Sequence, residues 1–309
     1  MKLAMVFPGQ GSQSVGMLAA YAGVPVIQET LAEAGEVLGA EFVRLLQEGP
    51  AEQLNLTVNT QPAMVTAGVA AYRGWLSLGG PKPALAAGHS LGEYAAFVAA
   101  GAIAFRDCLP LVRFRAQAMQ EAVPAGKGAM AAILGLEQAQ VRLACEEAGG
   151  VVEAVNFNTP EQTVIAGEKG AVERAMEKCK ARGAKRAMPL PVSAPFHSSL
   201  MKPAGDRLQG ELQRVTFTAP LFPVLNNADV KAETRPDDIR RALVRQAYSP
   251  VRWVETIRKM AEQGVTHVVE CGPGKVLAGM VKRIAPEMKS LVLADRASLD
   301  EALSAVKGG

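Results

Sequence analysis

Short apolar segments alternate with longer amphipathic segments over the first third of the chain. Residues 3–7 and residues 84–87 are wholly apolar runs of strand length, and a glycine-containing turn follows each of them. Residues 91–100 and residues 106–122 carry apolar side chains at helical spacing. Short buried strands separated by helices are typical of a mainly parallel sheet covered by helices, so the pattern predicts an α/β domain. Further strands of this kind are predicted near residues 222–225, 266–270 and 289–293.

The pattern changes at the Pro-Ala-Gly-Lys-Gly break of residues 124–128. Beyond this break the predicted elements follow the order β-α-β-β-α-β, which is the ferredoxin-like pattern. We therefore expect residues 125–192 to form a small domain inserted into a large domain made of residues 1–124 and 193–309. The predicted strands of the small domain are residues 129–134, 151–157, 162–167 and 185–190, and its predicted helices are residues 137–148 and 169–182.

Composition and charge narrow the range of partners. The 309 residues suffice for a large domain with a small one, and 49% of them are apolar. Only 5% are aromatic, fewer than base-stacking nucleic-acid proteins usually carry, so no nucleic-acid partner is expected. Residues 1–110 carry 5 Lys or Arg against 8 Asp or Glu, whereas the rest carries 28 against 22. The later part could favour an anionic partner, or its charges could form a solvated mixed surface.

The cysteines and the N-terminus indicate a reducing compartment. The four cysteines, at positions 108, 145, 179 and 271, suit neither a disulfide framework nor a metal site. The chain starts directly with a predicted strand and lacks the layout of a signal peptide. Its longest apolar run, residues 95–105, is too short to span a bilayer. We expect a cytoplasmic protein with no metal and no membrane contact.

A G-x-S-x-G motif, Gly88-His-Ser-Leu-Gly92, lies between an apolar strand and a predicted helix. A nucleophile elbow needs this layout, because the glycines permit a sharp turn that exposes the hydroxyl of Ser90. The start of the following helix offers backbone N–H groups to an oxyanion. The Gly-rich loop Phe7–Gln13, which has neither dinucleotide nor phosphate-loop spacing, makes Gln10 the candidate second oxyanion donor. The alternative for both segments is a tight turn of small residues.

A serine nucleophile needs a base, and the chain has three histidines. His89 adjoins Ser90 and would have to fold back against the strand to reach it. His267 lies in a segment with strand periodicity. His197 lies in a proline-marked loop that leads into a helix, and catalytic side chains tend to lie on loops of a rigid scaffold. His197 is therefore the candidate base, the alternative being a surface or capping histidine.

Arg115 lies on the apolar face of the helix predicted over residues 106–122. At about 100° per residue it shares that face with Leu111 and Met119, whereas Arg113 lies on the polar, solvated face. Burial of a guanidinium is costly unless it meets an anion. Arg115 is therefore a candidate clamp for a substrate carboxylate, which arginine can hold through two hydrogen bonds. The alternatives are a structural ion pair and a side chain that extends back to solvent.

Several segments together match one known family in order and spacing. They are Phe7-Pro-Gly-Gln-Gly-Ser-Gln13, Gly88-His-Ser-Leu-Gly-Glu-Tyr94, Arg115, Val155-Asn-Phe-Asn158, Pro191-Val-Ser with Phe196-His197, and Gln246. By these motifs the chain resembles the malonyl-CoA:acyl-carrier-protein transacylases of bacterial fatty acid synthesis, from residue 4 to about residue 290. The resemblance implies an α/β-hydrolase-like large domain with a parallel sheet and an inserted ferredoxin-like small domain.

The resemblance also implies a role for each residue of the catalytic centre. Ser90 would be the nucleophile, His197 its base, and Arg115 the partner of the malonyl carboxylate. The backbone N–H groups of Gln10 and Leu91 would form the oxyanion hole. The reaction would pass a malonyl group from malonyl-CoA to the serine, and from there to the phosphopantetheine thiol of an acyl carrier protein. No cofactor is implied.

Other matching residues would surround this centre. Gln246 matches the position whose backbone carbonyl orients the histidine, so that no carboxylate would complete a triad. Asn156 falls in a matching motif, and Lys185 and Arg186 match basic positions near the site entrance, where substrate or carrier contacts are expected. Phe196, just before the histidine, resembles the residue of malonyl-selective members.

Two other functional classes stay open at this stage. One is a serine hydrolase, such as a thioesterase, built on a similar elbow. The other is an acyl-CoA or carrier-protein binding module without catalytic activity. The inward-facing Arg115 and the position of His197 well before the C-terminus favour the transferase.

Overall fold

The structure, a computed structural model, describes residues 1–192 and 194–307. The described strands are β1 (Leu3–Phe7), β2 (Leu85–Gly88), β3 (Gly128–Leu134), β4 (Val152–Thr159), β5 (Gln162–Glu168), β6 (Arg186–Pro189), β7 (Val224–Leu225), β8 (His267–Cys271) and β9 (Lys289–Leu293). The described α-helices are α1 (Pro25–Leu38), α2 (Ala40–Glu48), α3 (Ala51–Leu54), α4 (Thr57–Ser77), α5 (Gly92–Ala99), α6 (Phe105–Glu121), α7 (Gln138–Ala148), α8 (Lys169–Ala181), α9 (Lys202–Arg214), α10 (Pro236–Gln246), α11 (Trp253–Glu262), α12 (Val276–Ile284) and α13 (Arg296–Lys307).

The strands form two separate sheets. Five of them pair in the order β7-β2-β1-β8-β9, and every pairing in this sheet is parallel. The other four pair in the order β4-β5-β3-β6, and every pairing there is antiparallel. With α7 and α8 between its strands, the second sheet has the ferredoxin-like order β-α-β-β-α-β. The predicted fold class is confirmed.

The domain boundaries stay a prediction. All strands of the antiparallel sheet lie between Gly128 and Pro189, inside the predicted small domain of residues 125–192. Position 193, where the large domain is predicted to resume, lies outside the described residues, as do positions 308 and 309.

Strand β1 is buried along its whole length because it lies in the middle of the parallel sheet. Its side chains alternate between two apolar clusters, one on each face of the sheet. Met5 and Phe7 pack into one cluster, and Ala4 and Val6 pack into the other. This two-sided burial explains why the strand appears in the sequence as a continuous apolar run without polar alternation.

Some element boundaries differ from those predicted, because backbone pairing decides them. The strand predicted at residues 84–87 is shifted by one residue, since Gly88 pairs with Phe7 at the end of β1. The strand predicted near residues 222–225 contains only Val224 and Leu225. Pro223 precedes it and has no N–H to donate, although its carbonyl accepts a hydrogen bond from Ala86.

The antiparallel sheet is joined to the rest of the fold through Val251, just before α11. The backbone N–H of Phe157 on β4 donates to the carbonyl of Val251, and the N–H of Val251 donates to the carbonyl of Val155, at 3.0 and 2.8 Å. Met130 of the antiparallel sheet packs in a small apolar cluster with Phe196, on the side of the sheet away from the cluster that α7 and α8 form. A pocket opens at this junction between two bodies, one built around the parallel sheet and one built around the antiparallel sheet.

Substitution of Gly88 by alanine tests the close packing at the end of β2. A Cβ atom there would lie 1.9 Å from the backbone carbonyl carbon of Gly92, so the elbow would have to shift. We expect a loss of about 3 kcal/mol or more in the free energy of unfolding, measured by urea denaturation. Gly210→Ala is the control: Gly210 is exposed on α9 with nothing within 4 Å of its Cβ position. The Gly210→Ala substitution should raise the free energy of unfolding by about 0.5–1 kcal/mol. Equal urea midpoints for Gly88→Ala and the wild type would contradict the expectation.

Candidate active site

Ser90 follows β2 directly and adopts a left-handed backbone conformation with φ of 53°. Two glycines make this turn possible. A Cβ atom on Gly88 would overlap the backbone of Gly92, and one on Gly92 would lie 2.1 Å from the carbonyl oxygen of Phe7. Helix α5 can therefore begin immediately over the end of β1, and the turn lifts the serine hydroxyl out of the sheet.

The Asn227 side chain holds the turn around Ser90 in its strained conformation. Its Oδ1 atom accepts a hydrogen bond from the backbone N–H of Ser90 at 2.7 Å, and its Nδ2 atom donates to the carbonyl of Gly88 at 2.6 Å. A non-glycine residue at positive φ costs of order 1–3 kcal/mol and persists only when its surroundings hold it. Asn227 supplies such a hold from a loop that follows β7.

His197 forms a dyad with Ser90. The distance from the Ser90 Oγ atom to the His197 Nε2 atom is 2.7 Å. On the other side of the ring, Nδ1 lies 2.9 Å from the backbone carbonyl of Gln246, so Nδ1 donates and Nε2 is left as the acceptor for the serine proton. Burial, followed by the nearby charge of Arg115, lowers the pKa of His197 to about 3. The His197 ring is therefore neutral at physiological pH.

Arg115 lies beside the dyad and is buried, with 1% of its surface exposed. Its Nη1 atom donates to Oε1 of Gln61 at 2.8 Å, and its Nη2 atom donates to Oε1 of Gln246 at 2.9 Å. The same Nη2 atom lies 3.5 Å from the Ser90 Oγ atom, and the guanidinium carbon lies 5.5 Å from the centre of the Tyr94 ring. Among the described residues, no carboxylate lies within salt-bridge distance of Arg115.

Arg113 is only partly buried, and its guanidinium carbon lies 5.5 Å from the centre of the Phe42 ring. The prediction that it is solvated is therefore correct only in part, because α2 packs against this side of α6. Arg113 does not line the pocket that contains Ser90.

Two backbone N–H groups are available to an oxyanion. Gln10 and Leu91 both line the pocket beside Ser90. Among the described residues, the N–H of neither residue donates a backbone or side-chain hydrogen bond. The side chain of Gln10 is held away from this task, since its Oε1 atom accepts a hydrogen bond from Thr57 at 3.2 Å. The two free donors are what a developing negative charge on a carbonyl oxygen requires.

The pocket has a volume of about 130 Å³ and lies between the two bodies. Its polar end contains the dyad, the arginine and Gln61. Its remaining wall is mainly apolar, and the apolar side chains that line it are Leu91, Met119, Met130, Leu190, Val192 and Phe196. Such a pocket suits a short acyl group with one charged end.

The other two histidines do not face the serine hydroxyl. The Nε2 atom of His89 lies 2.7 Å from Oδ1 of Asn158, and its ring packs against Trp253 with centroids 5.4 Å apart. Burial lowers the pKa of His89. His267 lies at the start of β8, where its Nδ1 atom contacts the Thr266 hydroxyl at 2.9 Å. The structure brings only His197, among the three, to the hydroxyl of Ser90.

The remaining predicted site residues fall in different places. Asn156 lines the pocket, and its buried Oδ1 atom has no hydrogen-bond partner among the described residues. Lys185 and Arg186 do not line this pocket. They lie at the start of β6, and Leu190, just after the strand, is the residue that reaches the pocket. Lys185 instead lines a separate surface cavity of about 520 Å³ together with Arg283.

Sequence reasoning missed the residues that hold the site together. Gln61, Glu93 and Asn227 all make buried hydrogen bonds within it. Asn227 carried a usable signal, because ligand sites of open parallel sheets gather beyond the carboxyl ends of the strands and this residue follows β7. Gln61, inside an apolar helix, carried a weaker signal as a polar residue at a buried position.

In the described part of the chain, no helix combines the length and the apolar character needed to cross a membrane. Residues 1–192 and 194–307 also contain no group of three or more His, Cys, Asp or Glu side chains placed to hold a metal ion.

The chain is similar to known acyl transferases over nearly its full length. The sequence model of the acyl transferase domain matches residues 4–301. Malonyl CoA-acyl carrier protein transacylase of Escherichia coli K12 is 57% identical over 305 residues, which cover 98% of this chain and 99% of that protein. The crystal structure of acyl-carrier-protein S-malonyltransferase from Burkholderia pseudomallei 1710b is 62% identical, with a TM-score of 0.97, and the match covers 98% of this chain and 100% of that one.

A further solved structure shows a related enzyme with its partner. It contains a malonyl-transacylase in complex with a type II PKS acyl-carrier protein. This chain matches it with 53% identity and a TM-score of 0.97, over 99% of this chain and 100% of that one.

The protonation states of the histidines can be tested by NMR titration. Because burial lowers the pKa of His197 to about 3, we expect its ring to stay neutral between about pH 4.5 and 8, and the pKa of His89 is lowered by burial as well. Desolvation, followed by the charge of Lys289, lowers the pKa of His267 too, so the reference is an unfolded histidine peptide, which titrates at about pH 6.5. The measurement follows the ring proton and nitrogen shifts of the three residues with pH. A His197 resonance with a midpoint near pH 6.5 would show that the base is not desolvated as described.

Proposed function

The chain belongs to the acyl transferase family, and we propose that it transfers a malonyl group from malonyl-CoA to the phosphopantetheine thiol of an acyl carrier protein, supplying fatty acid synthesis. The observation that carries the proposal is the buried guanidinium of Arg115, 3.5 Å from the serine hydroxyl and without a carboxylate partner among the described residues. A guanidinium without a carboxylate partner can pair with the carboxylate of an anionic acyl group. The family and its relatives support the same reaction.

In the first half of the reaction, the Ser90 Oγ atom attacks the carbonyl carbon of the malonyl thioester. The Nε2 atom of His197 takes the serine proton as the bond forms. The backbone N–H groups of Gln10 and Leu91 donate to the oxygen that becomes negative. The carbon–sulfur bond then breaks, the CoA thiol leaves with the proton from the imidazolium, and a malonyl ester remains on the serine.

In the second half, the phosphopantetheine thiol of the carrier protein takes the place of CoA. It gives its proton to the Nε2 atom of His197, and the sulfur attacks the ester carbonyl. The same two N–H groups stabilise the second tetrahedral intermediate. The carbon–oxygen bond breaks and the serine oxygen recovers the proton, so that the enzyme returns to its starting state without a cofactor.

Arg115 binds the terminal carboxylate of the malonyl group in this proposal. Gln61 and Gln246 hold one terminal nitrogen of the guanidinium each, at 2.8 and 2.9 Å. The guanidinium is thereby oriented before substrate arrives, which reduces the conformational entropy lost on binding. A buried, oriented guanidinium discriminates strongly against an acyl group that lacks the carboxylate, because the charge is then left unpaired.

The outer parts of both substrates are proposed to approach along the small domain. Asn156 has a buried carboxamide oxygen without a partner among the described residues, and it is the candidate contact for a donor group of the pantetheine arm. Lys185 and Arg186 lie at the other end of β6 from the pocket, so they are candidates for contacts with CoA phosphates or with the carrier protein. We propose that the enzyme acts in the cytoplasm.

Mass spectrometry of the protein mixed with malonyl-CoA tests the proposed reaction. The wild type should gain the mass of one malonyl group and should lose it on addition of a phosphopantetheine-bearing carrier protein. Ser90→Ala should gain nothing while its circular dichroism spectrum stays that of the wild type, because the substitution is small. Rapid release of free malonate without carrier protein would instead identify a hydrolase. Binding of malonyl-CoA without any adduct would identify a binding module.

The role of Arg115 is tested by comparing malonyl-CoA with acetyl-CoA as acyl donors. Two charge-assisted hydrogen bonds together predict that Arg115→Ala lowers kcat/KM for malonyl acylation by about a hundredfold or more. Acetyl acylation should change little or rise. Arg113→Ala is the matched control from the same helix, and it should leave the preference as in the wild type. Equal losses for both donors would mean that Arg115 only supports the fold, and a loss of preference in Arg113→Ala would mean that the clamp has been assigned to the wrong arginine.

A further inference from the structure

A fully buried carboxylate lies behind the pocket. Glu93 is in the first turn of α5, its exposure is 0%, and it is not among the residues that line the pocket. Its Oε2 atom accepts hydrogen bonds from the backbone N–H of Asn227 at 2.8 Å and from Nε2 of Gln246 at 3.0 Å. Its Oε1 atom has no partner among the described residues. A buried carboxyl group that is only partly satisfied destabilises a fold, which suggests another reason for its presence.

The Gln246 amide connects this carboxylate to the guanidinium. Its Nε2 atom donates to Glu93 and, at 2.9 Å, to the carbonyl of Ser90, while its Oε1 atom accepts from Arg115. If the amide were turned over, its NH₂ group would face a guanidinium donor and its oxygen would face two acceptors. Glu93 therefore favours the one orientation in which the amide oxygen holds Nη2 of Arg115 close to the nucleophile.

The hydrogen bond from Asn227 to Glu93 forms a second branch of this network, beside the one through Gln246. This second branch does not distinguish between acyl groups. Through the N–H of Asn227, Glu93 also supports the side chain that holds Ser90 and Gly88. Damage to that branch would slow acylation by every thioester. Damage to the Gln246 branch would also release the carbonyl of Ser90, which slows every donor alike, and would in addition slow a donor that uses Arg115. The two branches can thus be separated by comparing donors.

We infer that Glu93 is a positioning residue for malonyl selectivity, acting through the Gln246 side chain on the guanidinium of Arg115. The inference rests on the proposed function, since it needs a malonyl carboxylate as the group that Arg115 binds. Burial raises the pKa of Glu93 to about 7, and a proton on the unpartnered Oε1 atom would leave Oε2 free to accept both hydrogen bonds. The orientation of the amide thus holds in either protonation state.

The test is the ratio of kcat/KM for malonyl-CoA to that for acetyl-CoA in single-turnover acylation. Glu93→Met, which keeps the length of the side chain and removes its acceptor, should lower the ratio by about tenfold or more, the effect of losing one hydrogen bond to a charged group. Glu93→Gln keeps an acceptor oxygen and should restore the ratio to within about threefold of the wild type. A ratio unchanged in Glu93→Met would overturn the inference.

Glu270 provides the matched control. It is also fully buried, and its carboxylate accepts hydrogen bonds from the N–H groups of Leu277 and Ala278 at the start of α12, at 3.1 and 2.8 Å. Glu270→Met should lower the thermal midpoint and leave the ratio unchanged. A fall in the ratio equal to that of Glu93→Met would show that any buried carboxylate has this effect, and it would overturn the inference.

Gln246→Met tests the connecting residue independently, in case Glu93→Met does not fold. It removes the amide and keeps the backbone carbonyl that holds His197. The ratio should fall as in Glu93→Met, and a wild-type ratio would overturn the inference. Failure of the proposed function is recognised in the wild type. A wild-type protein that forms no malonyl adduct, or shows no preference for malonyl over acetyl, overturns the proposed function and the inference about Glu93 together. A wild-type preference that survives in these variants overturns the inference alone.

Discussion

A buried guanidinium without a carboxylate against it is the constraint around which the pocket is built. Arg115 is held by the amide oxygens of Gln61 and Gln246, which are neutral. Neutral acceptors satisfy the donors and leave the positive charge available to a ligand, whereas a carboxylate in direct contact would neutralise it. Burial lowers the pKa of Arg115, and Glu93, a carboxylate that acts against this lowering, is hydrogen-bonded to one of these amides. The two terminal nitrogens of the guanidinium are thus held by neutral acceptors, its Nε atom has no partner among the described residues, and the group stays attractive to an anion.

The elbow at Ser90 adds a second constraint, which is steric. Helix α5 starts so close to β1 that neither Gly88 nor Gly92 has space for a side chain. The serine accepts a left-handed conformation as a result, and Asn227 ties both sides of the turn. Because Glu93 contacts the backbone of the same asparagine, the nucleophile and the guanidinium belong to one hydrogen-bonded network.

A backbone carbonyl, and not a carboxylate, orients the ring of His197, and this difference affects the pKa of the ring. A carbonyl fixes the tautomer as well as a carboxylate does, but it contributes no negative charge to stabilise the imidazolium. With burial and a neighbouring cation, the pKa of His197 therefore falls to about 3. In the proposed mechanism, His197 takes up a proton in each half-reaction and returns it to the departing thiol or serine oxygen. A symmetric exchange between two thiols and one serine suits this behaviour.

The sequence alone determined the features that depend on neighbours along the chain. Apolar runs predicted the buried strands. The change in the order of predicted elements after residues 124–128 indicated the ferredoxin-like pattern, and helical periodicity placed Arg115 on an inward face. The candidate nucleophile, Ser90, followed from a glycine pattern that is itself a local steric requirement, and the candidate base, His197, followed from its loop position and the scarcity of histidines. The resemblance to a known family added Gln246 and the oxyanion donors.

Only the tertiary structure decided which distant side chains complete the site. Gln61 and Gln246 meet Arg115 across sequence separations of 54 and 131 residues, and Asn227 reaches Ser90 across 137. The structure shows Lys185 and Arg186 outside the acyl pocket, and their expected place near the site entrance stays a proposal. Local sequence patterns indicate which positions are buried and with what periodicity the buried positions recur. They do not report which partner satisfies a buried polar group, because that partner is brought there by the packing of the two bodies.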